Sequence, residues 1–542
     1  MARPSVTFSP TAVQQLKRGL DTLANLLGLT LGPTQGAVFS AADGKTRPEL
    51  LTDAATIARR MLELPDPGEN VGAMLLRNLV WRMHERLGDG GALAAVLAQA
   101  LLDEMLRSVT AGANPVPVLN GMKRAARHAG ERLAELSRPA GGQADLTAVV
   151  RSATGIDPLS RVLGEMFHIL GPQAYIMVED YVAPTLERVY LDGGRWAGSL
   201  ASPYLVNTPA TRQAVLNDVF VALYHGNLEQ AEQVRPALAA AAERRSDPEK
   251  PLHLLVVAHA IRGEALNLLV AAGQGKDFKT IGVNLSRAGE KAHADLSDLA
   301  LLSGATLIDP QMGRKMENFR PADLGQARRA AAGPEALLAA SGQGQAAEIQ
   351  RQIELLQTRL EALPFGDEGR GELEMRLGRL AGCAGVLKVG AISEVERAYL
   401  HQNAERGIKV LRGALAEGLL PGGGTAYLHT IPALNELLAA AEGDEAAGVR
   451  AVLRALEAPF RTILKNAGVD APGLALEQVR QAGFGYIYEA VSGQIMSAEA
   501  AGVLDSSAVL QAALQTAASG AAMALSTETV ILKKNPKLSY EP

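Results

Sequence analysis

Cysteine is almost absent from this chain: its 542 residues carry one, Cys383. A single thiol excludes an internal disulfide framework and fits a reducing compartment, so the cytoplasm is the expected location. Aromatic residues are also scarce, at 4% with two tryptophans. Core packing therefore falls to Ala, Leu and Val, which favours tightly packed helices. No excess of positive charge exists either: 53 Lys and Arg stand against 58 Asp and Glu, a net charge of −5. That removes the electrostatic case for nucleic acid. The stretch MARPSVTFSPTAVQQLKRGL (1–20) has no long apolar core, so no signal peptide is expected. No uncharged apolar run of about 18 residues flanked by charge is found, so no membrane span is expected. The nine histidines show no ligand spacing.

What is present is an ordinary globular balance, 47% hydrophobic and 20% charged, in a chain too long for one core. Residues 10–29 place Val13, Leu16, Leu20, Leu23, Leu26 and Leu27 at helical spacing. Helices are also predicted over 52–64, 69–87, 92–110 and 115–137. Asn114-Pro115 makes a helix start, a capping side chain followed by proline in the first turn. The middle changes character. AYIMVED (174–180), LERVYL (186–191), VFVALYH (219–225), HLLVVAH (253–259), KTIGVNL (279–285) and ATLI (305–308) are short β-rich runs between helices, an α/β or α+β pattern. A charged amphipathic stretch at 344–380, broken near 363–366, predicts a helical hairpin. Ala-rich helices return at 394–418, 446–467 and 507–525. Helical ends around a mixed middle suggest one domain split by an insertion.

Three glycine turns sit at helix boundaries: TLGPTQG (30–36), GDGG (88–91) and PGGG (421–424). A helix N-terminus behind such a turn offers unpaired N–H groups to a phosphate, though glycine turns also end helices everywhere. Asp89 lies inside one turn, where a hard cation beside a phosphate would want a carboxylate. Asp53, in LLTDAATIARR, has a simpler reading as the cap of a helix starting at Ala54. The runs VRPALAAAA (234–242) and EALNLLVAA (264–272) read as groove lining or as ordinary core.

Taken together, these stretches resemble the GroEL-type group I chaperonins. The likeness begins with VTFSPTAVQQLKRGLDTLANLLGLTLGPTQG (6–36) and runs through ENVGAMLLRNLV (69–80), GDGGALAAVLAQA (88–100) and AGANPVPVLNGMKRA (111–125). It resumes at MVED (177–180), SPYLVN (202–207), RGEALNLLV (262–270) and DLGQARR (323–329). It closes with LAGCAGVLKVGAISEVE (380–396), EGLLPGGGTA (417–426), LRALEAPFRTILKNAG (453–468) and GVLD (502–505). The resemblance implies a multi-domain chaperonin fold. An all-α equatorial domain, 1–136 and 417–542, would be split by an insertion. A small α/β intermediate domain, 137–192 and 381–416, and an α/β apical domain, 193–380, would follow. It further implies heptameric rings, ATP and Mg²⁺ as cofactors, non-native polypeptides as clients, and a co-chaperonin lid or a standard chaperonin paralogue as partners.

The same resemblance assigns site residues. Thr30, Leu31, Gly32 and Pro33 would cradle phosphate. Asp89 would hold Mg²⁺, Gly90 of the same turn would contact the nucleotide, and Gly423 would face it. Asp53 matches a carboxylate near the phosphates, although its flanking lysine and glycine are Thr52 and Ala54 here. Three threonines that follow the GDG turn in the family are Gly91, Ala92 and Leu93, a loss of hydroxyl hydrogen bonds each worth about 0.5–1.5 kcal/mol. The water-positioning Asp falls at Arg406, a cation that cannot accept a proton, with Glu405 beside it as a possible substitute. The adenosine side reads Ile487, Tyr488 and Glu489, and the ribose-contacting Asp is placed at Ala500. Tyr204, Leu205, Leu238, Leu266, Leu269 and Val270 match the apolar polypeptide groove, with Arg235 and Ala271 making it less apolar. A hinge glycine is Cys383, and the C-terminal tail lacks Gly-Met repeats.

Three functions follow from this reading. One is a divergent chaperonin that assembles rings and binds non-native chains with weak or absent ATP hydrolysis. The second is an ATP-driven folding machine with a rebuilt pocket. The third is a structural or adaptor ring subunit without a folding role.

Overall fold

The structure, a computed structural model, describes residues 5–532 apart from 34–35, 37, 41–48, 62, 192, 209–211, 246–250, 341 and 364–366. The tail beyond 532 and part of the break expected at 363–366 thus lie outside the described residues. The chain divides into two compact units, one formed by 1–168 with 392–542 and the other by 169–391.

The first unit is helical. Its N-terminal part runs through α1 (Thr11–Gly28), α2 (Ala54–Arg60), α3 (Pro67–Leu87), α4 (Gly91–Thr110), α5 (Pro115–Leu136) and α6 (Gln143–Thr154), and α7 (Asp157–Leu170) leads out of it. Local chemistry sets several of these starts. The Asp66 carboxylate accepts from Gly68 N and Glu69 N at 2.7 and 3.0 Å, and Pro67 follows in the first turn. Asn114 does the same for α5, accepting from Val116 N at 3.0 Å ahead of Pro115. On α1, Leu16, Leu20, Leu23 and Leu27 are buried as their spacing requires. The stretch expected as one helix over 446–467 is two, Gly443–Ala455 and Ala458–Asn466. Pro459, which has no N–H to continue a helix, opens the second.

With few aromatics, the helices meet backbone to backbone. A Cβ added at Gly121 of α5 would lie 2.1 Å from the Glu445 carbonyl oxygen of helix Gly443–Ala455, and one at Gly448 of that helix would lie 2.0 Å from the Val118 carbonyl oxygen of α5. The two glycines therefore interlock at the crossing of α5 with Gly443–Ala455. Helix Ser507–Leu525 packs on α3, α4 and α5. It is the one described helix long and apolar enough to cross a membrane, with a mean hydropathy of 1.3. Leu510, Leu514, Ala517 and Ala521 nevertheless stand in the main core with Leu97, Leu101 and Met122, so it serves as a core helix.

The second unit carries the strands. A seven-stranded sheet orders 307–308, 214–224, 325–332, 336–339, 194–200, 278–285 and 252–258. Phe220–Leu223 also pairs with Leu254–Val257, which closes a circle of six strands. Alternation serves both faces. Val219, Val221 and Leu223 enter one core, while Ala222 and Tyr224 enter the other. The strand expected at 219–225 begins earlier, at Ala214, because it spans the width of the partner Gly325–Ala332. On the second face lie α8 (Ala231–Glu243) and α9 (Gly263–Gln274). Further along, α10 (Gly289–Ser303), α11 (Ala346–Ala362) and α12 (Arg370–Leu380) follow, the last two forming the expected hairpin. A separate three-stranded sheet sets Ala384–Val389 between Tyr175–Asp180 and Leu186–Leu191. From 392 the chain re-enters the first unit through α13 (Glu394–Glu417).

The glycine crossing makes a paired prediction. Gly448→Ala forces a methyl into the Val118 backbone and lowers stability by about 1–3 kcal/mol or more. Gly130→Ala, also in α5, meets only the end of Gln515 at 3.9 Å and raises stability by up to about 1 kcal/mol. Urea unfolding midpoints of the two variants, moving in opposite directions, check this.

Candidate nucleotide site

A cavity of about 420 Å³ lies within the first unit, where the glycine turns converge. Its floor is the turn after α1. The Thr30 amide and hydroxyl both donate to Leu27 O, at 3.0 and 2.8 Å. Asn466 then donates to Gly28 O and Leu31 O, each at 2.8 Å, and so pins the turn from a distant helix. Thr30, Leu31, Gly32 and Pro33 all line the cavity.

The second wall is the GDGG turn. Gly88 and Gly90 both adopt positive φ, 76° and 86°, a conformation that L side chains resist. Asp89 is fixed between them, and α4 starts at Gly91. Gly91, Ala92 and Leu93 line the cavity with first-turn N–H groups that have no partner inside the helix. Asp53 also reaches the cavity while capping α2, accepting from the Thr56 amide and hydroxyl at 2.8 and 2.9 Å.

The third wall is α13, where Tyr399, Asn403 and Arg406 recur on one face and line the cavity together. Arg406 is committed at every nitrogen. Nε donates to Gly88 O at 3.0 Å, and Nη2 donates to Asp89 Oδ1 at 2.7 Å. Nη1 stands 3.6 Å from Asp53 Oδ1. Glu405 is not a substitute carboxylate in this site. One residue along a helix turns a side chain by about 100°. Glu405 is 60% exposed, beside His401 at 3.7 Å, and does not line the cavity.

These charges shape one another. Burial pushes the Asp53 carboxyl up, but Arg406, His84 and the Thr56 hydrogen bonds outweigh it and hold it below its ordinary value. Burial works against the Arg406 charge, and Asp89 and Asp53 more than restore it. Burial, with Lys409 and Arg406 adding to it, holds the His84 imidazole below its ordinary value against the pull of Asp53 and Asp89. Its Nδ1 has no hydrogen bond and lies 3.9 Å from Asp53 Oδ2.

One expectation drawn from the resemblance is corrected on the opposite side of the cavity. Ala500 is exposed on the short helix Ala498–Ala501 and does not line the cavity. The carboxylate that does face it is Asp505, where the strand Leu504–Ser506 pairs with Leu419–Pro421. Burial, and then the neighbouring Asp89 charge, push the Asp505 carboxyl up to about 7. Gly423, Ile487, Tyr488 and Glu489 complete that side. Sequence reasoning missed His84, Arg151, Asn403, Asn466 and Asp505. Asp505 had a signal, a charge inside the apolar strand of GVLD; the others lie on helices whose facing partner only the fold reveals.

Magnesium needs several oxygen ligands in near-octahedral array. Asp89, the carboxylate assigned to it, instead pairs with the Arg406 guanidinium, which also faces Asp53. Beside a nucleotide, one or two carboxylates with phosphate oxygens and waters would make up that array, and here both nearby carboxylates are taken by one guanidinium. With Arg406 in this place, the residues do not fit Mg²⁺.

The apolar residues matched to a polypeptide groove divide in the second unit. Tyr204 is 79% exposed. Leu238 on α8, and Leu266 and Val270 on α9, are half-buried, and the two helices pack against each other. Leu269 is fully buried and Leu205 nearly so. Leu269 follows Ala265 on the inward face of α9, so it and Leu205 belong to the core rather than to an open surface.

Asp505 sets a pH dependence. Between the ordinary carboxylate range and about 7, the native state holds a proton that the unfolded chain has lost. Stability therefore falls as pH rises through that window and levels off above it. Asp505→Asn removes this slope and gains about 3 kcal/mol on wild type between about pH 5 and about pH 8, as measured by urea unfolding at each pH.

Comparisons with known proteins agree with this architecture. A family model described as the TCP-1/cpn60 chaperonin family matches residues 23–168 and 252–535. Among solved structures, the fold is similar to the chaperonin gp146 from bacteriophage EL 2 (Pseudomonas aeruginosa), crystallised in the presence of ATP-BeFx. That similarity has a TM-score of 0.68 at 15% identity and covers 98% of this chain and 99% of that one. With most of its length matched in order, and its glycine turns gathered around one cavity, this chain belongs to the TCP-1/cpn60 chaperonin family.

Proposed function

We propose that this chain is a chaperonin subunit that assembles into rings in the cytoplasm and captures non-native polypeptides, while hydrolysing ATP weakly or not at all. Its helical unit would provide the equatorial nucleotide domain. The segments flanking the insertion would form an intermediate domain, and the strand-rich unit an apical, client-binding domain. The observation that carries the reading is Arg406. Its guanidinium hydrogen-bonds the turn that would hold the phosphates, where hydrolysis needs an acceptor to orient water. The Gly91, Ala92 and Leu93 side chains offer no hydroxyl in compensation. For client capture the supporting features are the exposed Tyr204 and the half-buried Leu238, Leu266 and Val270 along α8 and α9. A driven folding machine would need another acceptor, and Glu405 points away from the cavity.

Two assays test this. Steady-state phosphate release by the wild type stays at the blank level, and Arg406→Asp raises it by about a hundredfold, the usual scale of a general base. Without nucleotide, the wild type suppresses aggregation of a chemically unfolded client, and Leu266→Ser with Val270→Ser weakens that suppression. Robust wild-type turnover would overturn the first half of the reading; ring assembly without any suppression would leave only the adaptor role.

A further inference from the structure

We infer that Arg406 is a tethered cation that takes the place of a divalent metal, so that the cavity binds a nucleoside polyphosphate without Mg²⁺. This deepens the reading above, since it rests on the cavity being a nucleotide site. The inference stands on geometry. A metal ion bound at this turn would sit against Asp89 and face Asp53, and the guanidinium already does both, at 2.7 and 3.6 Å. Its third contact, Nε to Gly88 O at 3.0 Å, is to the backbone of the same turn. The planar fork is thus held at three points, each on the rim of one cavity.

The consequences for a ligand follow from charge. Two carboxylates beside a polyphosphate repel it unless a cation lies between them. Arg406 supplies that cation permanently and cannot be removed by a chelator. A divalent ion arriving as well would meet a positive charge where it needs oxygen ligands. The Arg406 side chain is 15% exposed, so the charge is weakly screened. Around it the Thr30–Pro33 turn and the unpaired first-turn amides of α4 line the same space, so phosphate oxygens have neutral N–H donors as well.

The test is equilibrium binding of a non-hydrolysable ATP analogue to the full chain, by titration calorimetry, in Mg²⁺ buffer and again in EDTA. The wild type is expected to bind with affinities within about threefold of each other. Arg406→Gln keeps most of the stem and removes the charge. In EDTA it loses about ten- to a hundredfold, one charge-assisted hydrogen bond, and Mg²⁺ restores the loss. Wild-type binding that weakens more than about tenfold in EDTA overturns the inference, as does no binding in either buffer. Both outcomes are separate from client capture, which the aggregation assay reads without nucleotide. Should Arg406→Gln not fold, Asp89→Asn decides. A tethered cation freed of its partner binds the analogue as tightly as before or more so in both buffers, whereas a metal site that has lost its carboxylate binds more weakly in Mg²⁺ buffer.

Discussion

The ion pair between Arg406 and Asp89 governs what the rest of the cavity can do. It joins α13 to the turn between α3 and α4, 317 residues away in sequence. It fills the space between two carboxylates with a charge that cannot be titrated away. Asp53 is held ionised by it, and Arg406 keeps its own charge against burial because both aspartates answer it. Asp505 responds differently. There the Asp89 charge adds to burial and pushes the Asp505 proton affinity towards neutrality. One side of the cavity is therefore a compensated charge cluster, and the other is a wall of Ile487, Tyr488, Glu489 and Asp505 that mixes apolar surface with carboxyl groups.

Such a cluster holds its geometry only on a rigid frame. The helical unit supplies it with small side chains rather than large ones. Gly121 and Gly448 bring two helices to backbone contact, and Ser507–Leu525 packs its alanines between α4 and α5. Asn466 extends the same rigidity to the Thr30–Pro33 turn through two hydrogen bonds. The strand-rich unit follows a different rule. Its strands are covered on both faces, so they read as nearly continuous apolar runs, and their alternation divides two cores.

How much of this the sequence discloses depends on the range of each interaction. Helix starts at Asn114-Pro115 and at Asp53 are legible because the capping side chain and the amide it accepts from lie within a few residues. The pocket turns are legible for the same reason, since each glycine answers a local backbone demand. The place of Arg406 can be counted from its neighbours, but its bond to Asp89 cannot, because nothing nearby in the chain refers to it. Glu405 shows the limit from the other side: adjacent in sequence, it faces solvent because a helix turns about 100° per residue. Leu269 matched a groove pattern, and the period of α9 places it in the core. The cavity carboxylate sits at 505 and not at 500, a distinction made by a strand pairing that spacing alone does not reveal.

The most direct measurement is a crystal structure of the protein grown with Mn²⁺ and a non-hydrolysable nucleotide, with anomalous scattering recorded at the manganese edge. The account predicts nucleotide in the cavity, Arg406 still on Asp89 and Gly88 O, and no anomalous peak between Asp53 and Asp89. A manganese peak at coordination distance from the Asp89 carboxylate, with Arg406 swung out, would contradict it.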